Sequence, residues 1–217
     1  MFRLLPLVLA AAGIAHAACP APAPTVLLER FLSGDCEACW GSGAAPEGAV
    51  LVLDWIVPSA RGDEAPLSAA AVPEAAARAG TVAQDRTLQR RQPLPAQPNL
   101  RLKVLDGPAW NGYIGLQLSV ERLAGTLPRG AVGYLALVEN VPAGTEGTPI
   151  ARQLVRSVVG PLPLDAGGPK RIDHLRALRI PLGSKPARLT AVGWIEAPAG
   201  KVIAAAQVIP EDCAPAR

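Results

Sequence analysis

The stretch Thr25-Val-Leu-Leu-Glu-Arg-Phe-Leu32, followed by Ser33-Gly34-Asp35 and then Cys36-Glu-Ala-Cys39-Trp40, decides how the chain is read. An apolar, strand-like run stops at a turn and presents two thiols two residues apart. Thiol–disulfide exchange sites are built this way, because the spacing lets both sulfurs meet within one turn. A helix starting there would stabilise a thiolate at its N-terminus. The same pair also fits a structural disulfide or half of a metal site.

The residues before this stretch set the redox compartment. Met1-Phe-Arg3 is a short positive start, Leu4–Ile14 is an apolar core too short to span a bilayer, and Ala15-His16-Ala17 fits the small-x-small cleavage rule. Residues 1–17 therefore read as a signal peptide, and the expected location is periplasmic or secreted. Acylation at Cys19 is disfavoured because His16 stands where a lipoprotein signal needs an apolar residue. All four cysteines, Cys19, Cys36, Cys39 and Cys213, survive cleavage, and an even count in an oxidising compartment suggests pairing. Cys36 with Cys39 is the local choice, which leaves Cys19 with Cys213 as a structural disulfide tying the two ends. By loop entropy that bridge would contribute roughly 4–5 kcal/mol.

Composition bounds the function classes. The 217 residues are 50% hydrophobic and only 4% aromatic, with a formal net charge of +3 that loses Arg3 on cleavage. Basic and acidic residues are interspersed without a Lys/Arg tract, which argues against nucleic-acid binding. No stretch after the leader is long and apolar enough for an integral membrane segment.

Two textures follow one another along the chain. A buried-looking strand, Ala49–Val57, is stopped by Pro58; Ser68–Ala79 is Ala-rich and helix-favouring, with Pro73 and Glu74 at the start of its second part. Residues 81–98 are polar and then proline-rich, and read as a connection or irregular edge. From Leu100 the period becomes two: Leu100, Leu102 and Val104 alternate with Arg101 and Lys103, and Ile114, Leu116, Leu118 and Val120 alternate with Gly115, Gln117 and Ser119. Further strands are expected over Ala131–Glu139, Gln153–Val159, Leu175–Leu182, Ala187–Glu196 and Lys201–Ile209, with Gly/Pro turns between them.

The run Val26-Leu-Leu-Glu-Arg-Phe-Leu-Ser-Gly-Asp-Cys36-Glu-Ala-Cys39 resembles the signature of a bacterial family of secreted thioredoxin-like proteins of unknown function, approximately V-E-L-F-T-S-x-G-C-x-x-C-P-P-A-D. Val50–Val57, with its Asp and Trp, is similar to that family's next strand. Glu139-Asn140 through Arg152-Gln-Leu-Val-Arg156 resembles its C-terminal segment. The resemblance covers most of the mature chain. It implies an α+β fold, with a degenerate thioredoxin-like domain over 18–98 carrying the Cys-x-x-Cys pair and an antiparallel β-sandwich-like domain over 99–217. Only Cys36 and Cys39 carry over as catalytic positions. Trp40 and Gly41 replace the family's two prolines, so the helix after the motif is expected to be very short. The cis-proline that this fold places opposite its disulfide would have to be Pro93, Pro95 or Pro98.

Other chemistries find little support. Asp35 and Glu37 flank Cys36 and disfavour a thiolate, with Arg30 the nearest cation able to oppose them. His174, between Asp173 and Leu175, lacks an obvious partner for a triad, and a zinc site lacks a second paired spacing. Gly41-Ser-Gly43 has no following Lys to make a phosphate loop, Arg61-Gly-Asp63 reads as a polar turn, and no cofactor motif is present. Asp54 is either a proton relay beneath the disulfide or a hydrogen-bonded strand residue. Two readings remain. One is a thiol–disulfide oxidoreductase acting on protein thiols, with Cys36 attacking and Cys39 resolving. The other is a non-catalytic envelope binding or structural protein whose disulfides only stabilise it.

Overall fold

A computed structural model describes residues 23–81 and 85–208. The strand before the cysteine pair, β1 (Val26–Ser33), and the next, β2 (Val50–Val57), pair in parallel with Arg30 opposite Asp54. Both are buried along almost their whole length because both faces are covered, as is usual for parallel strands. Their crossover carries α1 (Glu37–Trp40), a single turn of four residues. After β2 comes α2 (Pro73–Ala79), which starts on a proline at its first turn and ends at Gly80, where φ is 71°. The chain then returns as β3 (Leu88–Pro93), antiparallel to β1.

The remaining strands are β4 (Leu100–Asp106), β5 (Tyr113–Arg122), β6 (Val132–Val141), β7 (Arg152–Pro163), β8 (Arg171–Arg179), β9 (Leu189–Ala197) and β10 (Lys201–Gln207). They do not all stay together. β6, β7, β9 and β10 extend the first sheet into seven strands, in the order β10-β9-β6-β7-β2-β1-β3, while β4, β5 and β8 form a separate three-stranded sheet. The join between early and late strands is narrow: β2 meets β7 in parallel through the single pair Asp54–Leu154.

Three apolar clusters hold this arrangement. On one face of the large sheet, α2 contributes Ala75 and Ala79 against Leu27, Phe31, Leu53, Trp55 and Trp194. On the other face, the small sheet lays Leu116, Leu118 and Val120 over Leu135, Leu137 and Ile195, and α1 sits alongside on Leu32, Ile56 and Leu154. Each buried Leu there contributes about 1.5–3 kcal/mol. The two sheets approach closely where glycine permits it. A Cβ on Gly133 would fall 2.6 Å from one methyl of Leu118, and a Cβ on Gly193 would fall 2.7 Å from its other methyl.

The fold class expected from sequence is therefore corrected. In place of an α+β thioredoxin-like domain followed by a β-sandwich, the chain is β-rich, with two sheets and, among the described residues, two short α-helices. Two local causes suppress helix. The Ala-rich run is split, with residues 68–70 in a 3₁₀ turn and only seven residues after Pro73 in α-helix. The ten residues after Cys39 hold Gly41, Gly43, Pro46 and Gly48 and leave no room for more than one turn. The polar segment assigned to a connection contains β3, an edge strand whose inward positions alternate with exposed ones. None of Pro93, Pro95 and Pro98 is cis; the cis peptide among the described residues is Gly160–Pro161. Leu100, Leu102 and Val104 of β4, and Ile114, Leu116, Leu118 and Val120 of β5, face the core as their alternation implied. The Cys19–Cys213 pairing and the leader lie outside the described residues.

Candidate functional site

Cys36 and Cys39 are joined by a disulfide, with Cα atoms 5.2 Å apart. Cys36 caps the N-terminus of α1, and the Cys39 N–H donates to Cys36 Sγ at 3.1 Å. Both cysteines are only 6% exposed, walled by Leu32, Trp40, Ile56, Val141 and Leu154. Trp40 closes one side, and its indole N–H donates to the Glu146 carbonyl at 2.7 Å. The Glu146 carboxylate is in turn bonded by Lys185 and Arg188. Trp40 is thus both a core residue and a cover over the bridge.

Beneath the bridge lies a buried charge cluster. Arg30 donates to both Asp54 carboxylate oxygens at 2.7 and 2.8 Å, and Arg152 donates to Asp54 Oδ1 at 3.2 Å. The backbone N–H of Gln153 completes the carboxylate at 2.9 Å. Arg152 also donates to the carbonyls of Cys39, Trp40 and Ser42, and its guanidinium lies 4.9 Å from the Trp40 ring centre. It therefore caps the end of α1, where carbonyls would otherwise be orphaned. Burial lowers the Arg152 pKa from its ordinary value, Asp54 opposes this, and the Arg30 charge adds to it.

This arrangement settles several readings. Asp54 is fixed between two arginines as a structural carboxylate, with no geometry for relaying a proton to sulfur. Arg30 is committed to Asp54 and does not reach round to Asp35, whose nearest cation is Arg61 at 3.8 Å. His174 is half-buried, its ring Nε2 3.0 Å from the Pro163 carbonyl. Among the described residues no group of three or more His, Cys, Asp or Glu side chains could hold a metal ion. No motif in the sequence marks Arg152 as a site residue. Its role was not readable, because its partners lie about a hundred residues upstream.

A second constellation occupies the opposite face of the large sheet. Arg78 of α2 donates to Glu29 and Glu196, both buried, and lies 5.0–6.0 Å from the ring centres of Trp194, Trp55 and Tyr134. Burial pulls the Arg78 pKa down, but the two carboxylates outweigh it and the value is raised. Tyr134 stacks on Trp194 at 5.2 Å, and burial together with Glu196 raises its phenol pKa. Its other face lies on Gly160, where a Cβ would fall 2.2 Å from the ring. Arg78, Glu196, Trp55, Trp194 and Tyr134 line an open cleft of about 770 Å³ together with Glu74, Arg90 and Lys201, while Glu29 stays buried behind Arg78. Sequence reasoning missed it because its members come from α2 and from strands on both sides of the chain.

No family model and no curated protein matches this chain. Among solved structures it is similar to HBP35 of Porphyromonas gingivalis, with a TM-score of 0.50 and 11% identity over 86% of this chain and 75% of that one. The likeness is one of fold.

Proposed function

We propose that the chain is an exported, non-catalytic binding protein in which the Cys36–Cys39 bridge locks the α1 crossover to the sheet. The observation that carries this reading is the burial of both cysteines at 6% exposure behind Trp40, since exchange needs an accessible sulfur. The binding role is supported by the mixed-charge cleft over Arg78, whose size lies within the usual range for small-molecule sites. Export rests on the leader-like sequence of residues 1–17.

One observation favours the second reading, a thiol–disulfide oxidoreductase acting on protein thiols. In the reduced protein the Cys39 N–H and the start of α1 would both support a Cys36 thiolate. Equilibration in thiol redox buffers separates the two. The structural bridge is expected below about −300 mV, with Cys39→Ser trapping no partner. A potential in the range of roughly −270 to −120 mV, together with mixed disulfides on Cys39→Ser, would overturn the proposal.

A further inference from the structure

The outward face of the small sheet carries an apolar, aromatic surface. The hairpin joining β4 and β5 ends in Trp110-Asn111-Gly112-Tyr113, where Trp110 and Tyr113 exchange backbone hydrogen bonds at 2.8 and 2.9 Å. Asn111 and Gly112 both have positive φ, 48° and 76°, as a tight two-residue hairpin turn requires. A directly opposed pair puts both rings on one face. Trp110 is 77% exposed and Tyr113 is 49% exposed. Two rows further in, the register places Leu105 beside Gln117 and Leu175, and Leu175 is 70% exposed. Between the rows stand only Gly115 and Ala177, so the surface is a shallow apolar shelf with a rigid aromatic lip.

The charge around it is one-sided. On this face the register sets four basic residues, Arg101, Lys103, Arg171 and Arg179, against two acidic ones, Glu121 and Asp173. Arg101–Glu121 and Arg171–Asp173 pair at the far end of the sheet. Near the shelf, Lys103 and Arg179 have no carboxylate partner among the described residues. Tyr and Trp at a rigid tip favour the interface between lipid headgroups and acyl chains, and unpaired cations beside them favour anionic headgroups.

We propose that this face docks on an anionic phospholipid bilayer, with Trp110 and Tyr113 at headgroup depth. The inference does not depend on the fate of the disulfide. It is tested by flotation of the intact protein with vesicles of phosphatidylcholine alone or with about 30% phosphatidylglycerol, including brominated-chain lipids. Trp40, Trp55 and Trp194 are buried, so quenching by bromine reports Trp110. The expected result is binding tighter by about tenfold or more on anionic vesicles, weakened in about 0.5 M salt, with Trp110 quenched. Trp110→Ala should remove the quenching, and the double variant K103E/R179E should lose the anionic preference while keeping its near-UV circular dichroism. Equal binding to both vesicles, unquenched Trp110, or a concentration-dependent dimer disrupted by Leu175→Glu would overturn it.

Discussion

Replacing Asp54 by alanine tests the buried charge cluster most directly. The carboxylate is fully buried and is the only acidic partner of Arg30 and Arg152 among the described ion pairs. Those arginines are themselves buried, so the variant strands two guanidinium charges away from water. Removing one partner of a buried pair costs about 3–5 kcal/mol, a large fraction of the roughly 5–15 kcal/mol that holds a protein folded. At about 2–4 °C per kcal/mol for a chain of this length, the melting midpoint should fall by roughly 6–20 °C. Urea and thermal unfolding with the disulfide intact, followed by tryptophan fluorescence and circular dichroism, would measure it. The paired replacement R30M/D54L should cost less than Asp54→Ala alone, because it removes one charge of each sign and leaves Arg152 held by three carbonyls. A loss below about 1 kcal/mol for Asp54→Ala would refute the assignment of this cluster as a desolvated ion triad.

The contact between the sheets makes a second test. Gly193→Ala should destabilise by about 1–3 kcal/mol by pressing on Leu118 and Val104, and Leu118→Ala by about 2–5 kcal/mol. The double variant should cost clearly less than the sum, and additivity within about 0.5 kcal/mol would show that the residues do not share the space. Acid unfolding tests the cover over the bridge. A hydrogen bond from Lys185, opposed by burial and reinforced by Arg188, holds the Glu146 pKa below its ordinary value. The stability it contributes is present above the usual Glu value of about 4.3 and is lost as pH falls through the lower folded value. Between about pH 6 and pH 3, Glu146→Gln should therefore flatten part of the acid loss seen in the parent protein, and identical slopes would discard the coupling.

Periodicity was legible, but its partners were not. β5 and β6 could be placed from alternation or apolar run because burying one face leaves a pattern in the residues themselves. β3 could not, since Leu-Gln-Arg-Arg-Gln-Pro is an edge strand and its inward side chains pair with groups elsewhere. The cysteine pair was readable from spacing, and its bridge is present. Its setting was not, because burial comes from Val141, Leu154 and Arg152, far along the chain. The expected thioredoxin-like fold failed at the same place. A motif seen locally says nothing of the strands that later close around it.

That the large sheet is assembled from both ends of the sequence sets the order in which it can be made. During synthesis β1 and β2 leave the ribosome with Arg30 already able to meet Asp54, but the residue that completes the triad and caps α1 is Arg152, in β7. Nearly a hundred residues must follow Asp54 before that charge is satisfied, and the edge of β2 stays unpaired for as long. A nascent chain in this state offers a long, apolar, open-edged strand, the kind of surface that holdase chaperones bind and that aggregates when they do not. The cell thus meets this protein first as a client.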